Sequence, residues 1–205
     1  VPYLTIPVVD QESFSSSRVN RDIIYDGCVA DLQEAIKLLP WQSEGTVPTV
    51  ERFTKNSAYG ILARVALYAA GYSLRWDLET YAPASVKLAQ RSDAARITEL
   101  YNIARDACKE IMDKGENGLL NSYETVFRNL VNGEYNKESM LEFGQKGTVN
   151  SSSIGYTNGM LAHTNSMYGK AQPAMGVLAN YYYDFEQNDT RRDVAICTYS
   201  IAADN

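Results

Sequence analysis

The chain has 205 residues, enough to bury a sizeable core as one domain or as part of a larger one. Hydrophobic residues make up 45% and charged residues 21%, the ordinary balance of a globular protein. The net charge of −6 excludes the basic footprint that nucleic-acid phosphates demand and leaves the choice of neutral ligand open.

The opening stretch, Val1 to Val9, reads as an extended segment. Neither it nor Ser200–Asn205 carries a terminal signature, so an internal piece of a longer protein is expected. A first helix is predicted over Arg18–Leu39, with Ile24, Cys28, Leu32, Ala35 and Leu39 recurring at steps of four and three on one face. The serine run Ser15–Ser17, or Asn20, can cap its start, and Pro40 helps to stop it. After a turn-rich linker, Ser43–Pro48, Thr54 caps a second helix that runs to about Ala70 and ends near Gly71, with Ala58, Leu62, Val65 and Ala69 facing inward. Residues 72–92 break the pattern and read as a loop with at most a short helical turn. Asp93 caps a third helix to about Lys114, with Leu100, Ala104, Ala107, Cys108 and Ile111 inward. Gly115 and Gly118 end it.

Ser122 caps a short helix through Leu130, and Ser139–Phe143 is short and apolar enough for a strand. Residues 144–172 are rich in Gly, Ser, Asn and Thr, and a loop of that length in a compact domain is usually functional or disordered. Pro173 suits the first turn of a last helix to about Phe185. The run Val194–Ile201 favours a strand.

Two helices share a spacing. Ala58-x3-Leu62-x2-Val65 and Ala104-x3-Cys108-x2-Ile111 place small then larger residues as the second helix of a tetratricopeptide repeat does, although the full repeat consensus is absent. The architecture expected on physical grounds is therefore mainly α, built from helix hairpins stacked in a solenoid-like way, with long loops and a few short strands.

The chemistry-bearing residues are sparse. Cys28, Cys108 and Cys197 are far apart and form no CxxC, which leaves no zinc or redox motif; Cys28 and Cys108 fall on apolar stripes and are expected as buried free thiols. His163 is the single histidine, and no G-x-S-x-G, HExxH or P-loop surrounds it. The acidic pairs Asp77 with Glu79 and Glu138 with Glu142 could serve a glycosidase only at a defined separation, and such pairs are common on solvated faces. No catalytic residue, metal or cofactor is assigned, and the chain is not expected to be an enzyme. Fifteen tyrosines are a high count, expected to lie mostly half-buried between helices. Arg18, Asp31, Arg52, Lys55 and Arg64 are expected to form salt bridges and caps within the first hairpin, and Asp189, Arg191 and Arg192 to pair locally and fix a turn.

Several blocks together resemble the SusD/RagB family, the nutrient-capturing lipoproteins of Bacteroidetes outer membranes. The first is Ser17-Arg18-Val19-Asn20-Arg21 with Ala30-Asp31-Leu32, Ala35 and Leu38-Leu39-Pro40. The second is Arg52, Thr54-Lys55, Ala58-Tyr59 and Leu62-Ala63-Arg64-Val65 with Leu67-Tyr68. Gly118-Leu119 with Tyr123 and Phe127, then Glu138–Phe143, then Asn188–Arg192, follow in the family's order and approximate spacing. The match is strongest over 16–68, and residues 72–92 depart from it. The resemblance implies that residues 1–205 are part of a single SusD/RagB-like domain with TPR-like hairpins. It implies a non-enzymatic protein, lipid-anchored at the cell surface of the outer membrane by a cysteine outside this chain. Its partner would be a SusC-like TonB-dependent transporter, and its ligand an oligosaccharide or polysaccharide or, in the RagB branch, a peptide. A helical-repeat adaptor for a protein partner is the alternative from another class.

Glycan binding needs flat rings for the sugar's C–H faces and polar side chains for its hydroxyls. The family carries no fixed ligand motif, so the candidates come from composition and loop position. They are Tyr156, Asn158, His163, Asn165 and Tyr168 in the 144–172 segment, and Trp41, Trp76 and Tyr81 in the other aromatic loops. Trp41, straight after Pro40, can equally pack at the hairpin turn.

Overall fold

The computed structural model describes residues 2–10, 16–45, 49–80, 82–144, 154–167 and 169–202. The chain is mainly helical and divides into two compact units, one of residues 1–118 with 139–142 and one of residues 119–138 with 143–205.

The first unit is built on three helices: α1 (Arg21–Leu38), α2 (Lys55–Ala70) and α3 (Ala94–Lys114). Each begins where a side chain can satisfy an orphan backbone group. Asn20 accepts from the Asp22 amide at 2.9 Å, and Asp93 from the Arg96 amide at 2.9 Å. At α2 the Thr54 amide donates to Ser57 Oγ at 2.9 Å, and that hydroxyl returns its proton to the Thr54 carbonyl at 2.8 Å. Gly115 closes α3 in the left-handed conformation, φ 70°, which glycine adopts without steric cost.

Contacts at the helix ends set their directions. The Lys55 amide donates to the Pro40 carbonyl at 2.8 Å, which joins the end of α1 to the start of α2. Gln90, just before α3, donates to the Ala70 carbonyl at the end of α2, at 2.9 Å. Thus α2 runs opposite to both of its neighbours and packs between them. Its inward face is Ala58, Leu62, Ala63, Ala66, Ala69 and Ala70, all buried. Small residues there let α1 and α3 approach closely, and the larger Val29, Ile36 and Leu100 fill the space from the flanking helices.

The inward face of α1 is rotated about one residue from the expected stripe. Val29 and Ile36 are buried, while Cys28, Ile24 and Ala35 are only half-buried. On α3 the expected Leu100, Ala104 and Ala107 are buried. Cys108 is exposed, so neither cysteine expected in the core lies there, and Cys197 is exposed as well.

Residues 72–92 form a β-hairpin rather than a plain loop. Strand β1 (Ser73–Arg75) pairs antiparallel with β2 (Lys87–Ala89), with Leu74 opposite Leu88. Strands of three residues leave too little alternation to read from sequence. The hairpin is held by charge: both Arg75 guanidinium nitrogens reach Asp22 on α1, at 2.8 and 2.9 Å. Beside it Arg91 makes a bidentate pair with Asp26, and Arg96 adds a third bond to the same carboxylate at 3.1 Å. The pairs expected from Arg18, Asp31, Arg52 and Arg64 do not form among the described residues; these side chains are exposed, and partners from the hairpin and α3 hold α1 instead.

Ser139–Phe143 makes no strand. The Glu142 amide donates to the Val50 carbonyl at 2.9 Å as a single tie, and Met140 lies against Gly60, where a side chain would collide with its methyl group.

The second unit carries α4 (Tyr123–Asn132), α5 (Ile154–Asn158), α6 (Ala179–Tyr183) and α7 (Arg191–Ala195). Ser122 caps α4 as expected, accepting from Thr125, and Gly133 closes it at φ 73°. The last helix does not begin at Pro173 but at Ala179, since Gly176 and the extended Leu178 interrupt the segment. The expected strand Val194–Ile201 is also replaced: α7 takes Val194 and Ala195, and only Ile201 forms a bridge. Arg191 and Asp189 pair locally as expected, at 2.9 and 3.0 Å, and the Asp189 carboxyl is held down to about 2 by the Arg191 guanidinium. Nine of the thirteen described tyrosines are exposed across the chain, not half-buried between helices.

Candidate functional site

The site that the candidate residues build lies in the second unit, around Ala162. This residue is buried and bridges two segments at once: antiparallel to Ala171 and parallel to Ile201. Ala162 and Ala171 exchange both backbone bonds, at 3.0 and 3.2 Å. The His163 amide donates to the Ile201 carbonyl at 3.0 Å, and the Ile201 amide to the Leu161 carbonyl at 2.9 Å. Between the two alanines the chain makes tight turns. Ser166 N donates to the His163 carbonyl, and Gly169 N to the Ser166 carbonyl, while buried Ser166 Oγ reaches the Gly169 carbonyl at 2.9 Å. Gly169 has φ 74°, which favours glycine at this position.

Helix α5 is tied to the same construction. The Gln172 and Ala174 amides donate to the Tyr156 and Thr157 carbonyls at 3.0 and 2.7 Å, which satisfies two of the helix's orphan C-terminal acceptors. The Tyr156 hydroxyl donates to Gln172 Oε1 at 3.4 Å, leaving the ring exposed.

The three segments enclose a cavity of about 330 Å³, at the lower end of the range for small-molecule sites. Leu161, Ala171 and Ile201 give it apolar wall; His163, Lys170, Gln172 and Ser200 give it polar groups. His163 Nδ1 accepts from the Asn165 amide at 3.3 Å, which leaves Nε2–H as the ring's free donor.

Of the expected ligand residues that are described, His163 alone lines the cavity; Asn165 and Tyr156 each hydrogen-bond to a lining residue, His163 and Gln172, without lining it, and Asn158 ends the helix that carries Tyr156. Tyr81 and Tyr168 lie outside the described residues. Trp41 and Trp76 belong to the first unit, at opposite ends of α2, whose sixteen residues span about 24 Å. Trp41 packs at the hairpin turn: its ring stacks on Tyr59 at 5.7 Å, with the Lys55 and Lys114 ammonium groups over it at 5.7 and 5.1 Å. Trp76 follows β1 and is 46% exposed, in line with exposed Tyr72 and Leu74 at alternate positions.

Lys170, Gln172, Thr164 and Ser200 were not among the sequence candidates. Lys170 and Gln172 sit two and four residues beyond Tyr168 with nothing local to distinguish them. Ser200 enters only because Ile201 pairs with a segment almost forty residues earlier.

The acidic pairs are engaged locally. Asp77 accepts from the Glu79 amide at 2.9 Å and from the Thr80 hydroxyl at 2.5 Å, and the Thr80 bond leads in holding its carboxyl below the ordinary range. Glu138 accepts from the Leu120 amide at 2.7 Å, and Glu142 from the Ser139 hydroxyl. Among the described residues no three His, Cys, Asp or Glu side chains gather to hold a metal, and no helix is long and apolar enough to cross a membrane. No protein-family model, curated protein or solved structure matches this chain.

Proposed function

We propose that this chain is part of a non-catalytic glycan-capture protein of the SusD/RagB type. It holds oligosaccharide at the cell surface for import through a SusC-like TonB-dependent transporter of the outer membrane, to which membrane it is lipid-anchored. On this reading α1, α2 and α3 are TPR-like hairpin elements that act as scaffold. The observation that carries the reading is the cavity around Ala162, where His163, Gln172 and Ser200 offer hydrogen bonds and Leu161 and Ile201 offer apolar wall, beside the exposed ring of Tyr156. An apolar surface with a few convergent polar groups is what a sugar ring requires, since each ring has a C–H face and a hydroxyl rim. Among the described residues the cavity lining contains no carboxylate that could act as a general acid, which supports capture over hydrolysis.

The test is native affinity electrophoresis of the protein against a panel of polysaccharides, with reducing ends assayed in the same mixtures. Retardation by one glycan class without new reducing ends is expected. Retardation by no glycan would turn the reading to peptides or a protein partner, and new reducing ends would replace capture by hydrolysis.

A further inference from the structure

We infer that the cavity around Ala162 selects anionic saccharides, those carrying a carboxylate or a sulfate, over neutral ones. The inference rests on the glycan reading above and narrows its ligand. It comes from the hydrogen-bonding inventory of the lining. The acceptor nitrogen of His163 is taken by the Asn165 amide, which leaves the Nε2–H donor. The acceptor oxygen of Gln172 receives the Tyr156 hydroxyl at 3.4 Å, which occupies one of its two lone pairs and leaves the NH₂ group wholly open. Lys170 can only donate and has no carboxylate partner among the described residues. Thr164 and Ser200 contribute hydroxyls that rotate to donate. Among the described residues no aspartate or glutamate lines the cavity, although the chain as a whole carries a net charge of −6.

A neutral sugar presents hydroxyls that both donate and accept, so a site for it combines donors with carboxylate or amide acceptors. A lining whose described charge is a single ammonium, with an imidazole N–H and an amide NH₂ beside it and hydroxyls as its side-chain acceptors, offers more donors than acceptors and leaves part of those sugar hydroxyl protons unmatched. It suits a group that only accepts. Hydrogen bonds to an ionised acceptor are about twice as strong as neutral ones, so the preference falls on a carboxylate or a sulfate.

Isothermal titration of the whole chain at about 0.15 M salt, where long-range attraction is screened, tests this. The probes are polygalacturonate, dextran sulfate, neutral dextran and polyglutamate. Tighter binding of polygalacturonate or dextran sulfate than of dextran is expected, and which of the two wins identifies carboxylate or sulfate. Lys170→Met should weaken that binding about tenfold, the loss expected for one charge-assisted bond. Lys170→Arg should restore most of it, and Lys87→Met, an exposed lysine in the other unit, should change nothing. Dextran bound as tightly as the acidic polymers would overturn the selectivity and keep the glycan reading. Equal losses in Lys170→Met and Lys87→Met would overturn it too, by showing diffuse attraction. Polyglutamate bound as tightly as polygalacturonate would keep the anion and discard the saccharide, and binding of no probe would discard both.

Discussion

In the unit built on α1, α2 and α3, Val29, Ile36, Leu62, Leu100 and a file of alanines are buried in one cluster. In the unit of residues 119–138 and 143–205, Ala162 and Ser166 alone among the described residues are buried, and Met175, Leu178 and Tyr183 are each at least 70% exposed. The first unit is thus held by close packing, which tolerates little change in shape. The second is held by backbone bridges, glycine turns and short-range ion pairs, and it carries the cavity. Loops fixed at a few backbone points can enclose a ligand-sized space that a closely packed helix trio has no room for. On the proposed reading this is a division of labour: scaffold in one unit, recognition in the other.

The contrast can be pressed hardest with Leu100→Ala. Leu100 is fully buried, so truncation should destabilise the first unit by about 2–5 kcal/mol. Both tryptophans lie in that unit, so urea unfolding followed by tryptophan fluorescence reports on it alone. A shift of under about 0.5 kcal/mol, the range of ordinary surface changes, would mean that packing is not what holds it.

Next in size is Asp26→Asn. It leaves Arg91, whose side chain is 9% exposed, without its carboxylate. The expected cost is about 1–2 kcal/mol, kept low because Asp26 is 35% exposed and partly solvated. The pH dependence follows from the same pair. The Arg91 hydrogen bond leads in holding the Asp26 carboxyl below its ordinary 3.8, with Arg96 assisting. A carboxyl lowered on folding contributes stability that is present above its unfolded pKa and lost as pH falls through the folded one. Acid should therefore weaken the first unit below about pH 3.8 in the wild type, and less steeply in Asp26→Asn. Superimposable acid curves from circular dichroism would sink this assignment.

The second unit carries an acid response of its own. Asp189 is held down to about 2 by Arg191, so its contribution, complete above the ordinary 3.8, should fall progressively as the pH drops from there toward 2 and be gone below that. Carboxyl NMR titration of Asp189 in the wild type and in Arg191→Ala gives the check: the variant should titrate higher, part of the way back to the ordinary 3.8 because the residue-191 amide still donates, and an unchanged midpoint would remove the Arg191 side chain as the cause.

The smallest effect belongs to Gly27→Ala. The added methyl would run into the Tyr3 hydroxyl, which lies on α1 at that point. Alanine also favours the helix by up to about 1 kcal/mol, so net stability should barely move. The change should appear as faster proteolysis near Tyr3, and a cleavage pattern like the wild type's would show that Tyr3 keeps its seat.

The sequence by itself determined the three long helices and their ends, because the information is local. A cap such as Asn20 or Asp93 acts within three residues, and a run of four or five turns repeats its apolar period often enough to be read. It also determined the Asp189–Arg191 turn, for the same reason. Tertiary structure decided what depends on distant partners. The hairpin at 73–89 stands on Arg75 reaching Asp22, fifty-three residues away. Ser139–Phe143 and Val194–Ile201 have strand composition, yet a strand needs a neighbour to bond along its length, and each is tied at a single residue, Glu142 in the first and Ile201 in the second. The same holds for the cavity. Of its lining, His163 was legible as a polar residue in a long loop, but Lys170, Gln172 and Ser200 join it only through the double pairing of Ala162. Composition can supply the chemistry of a site; which donors share one cavity is fixed by hydrogen bonds between segments far apart in the chain.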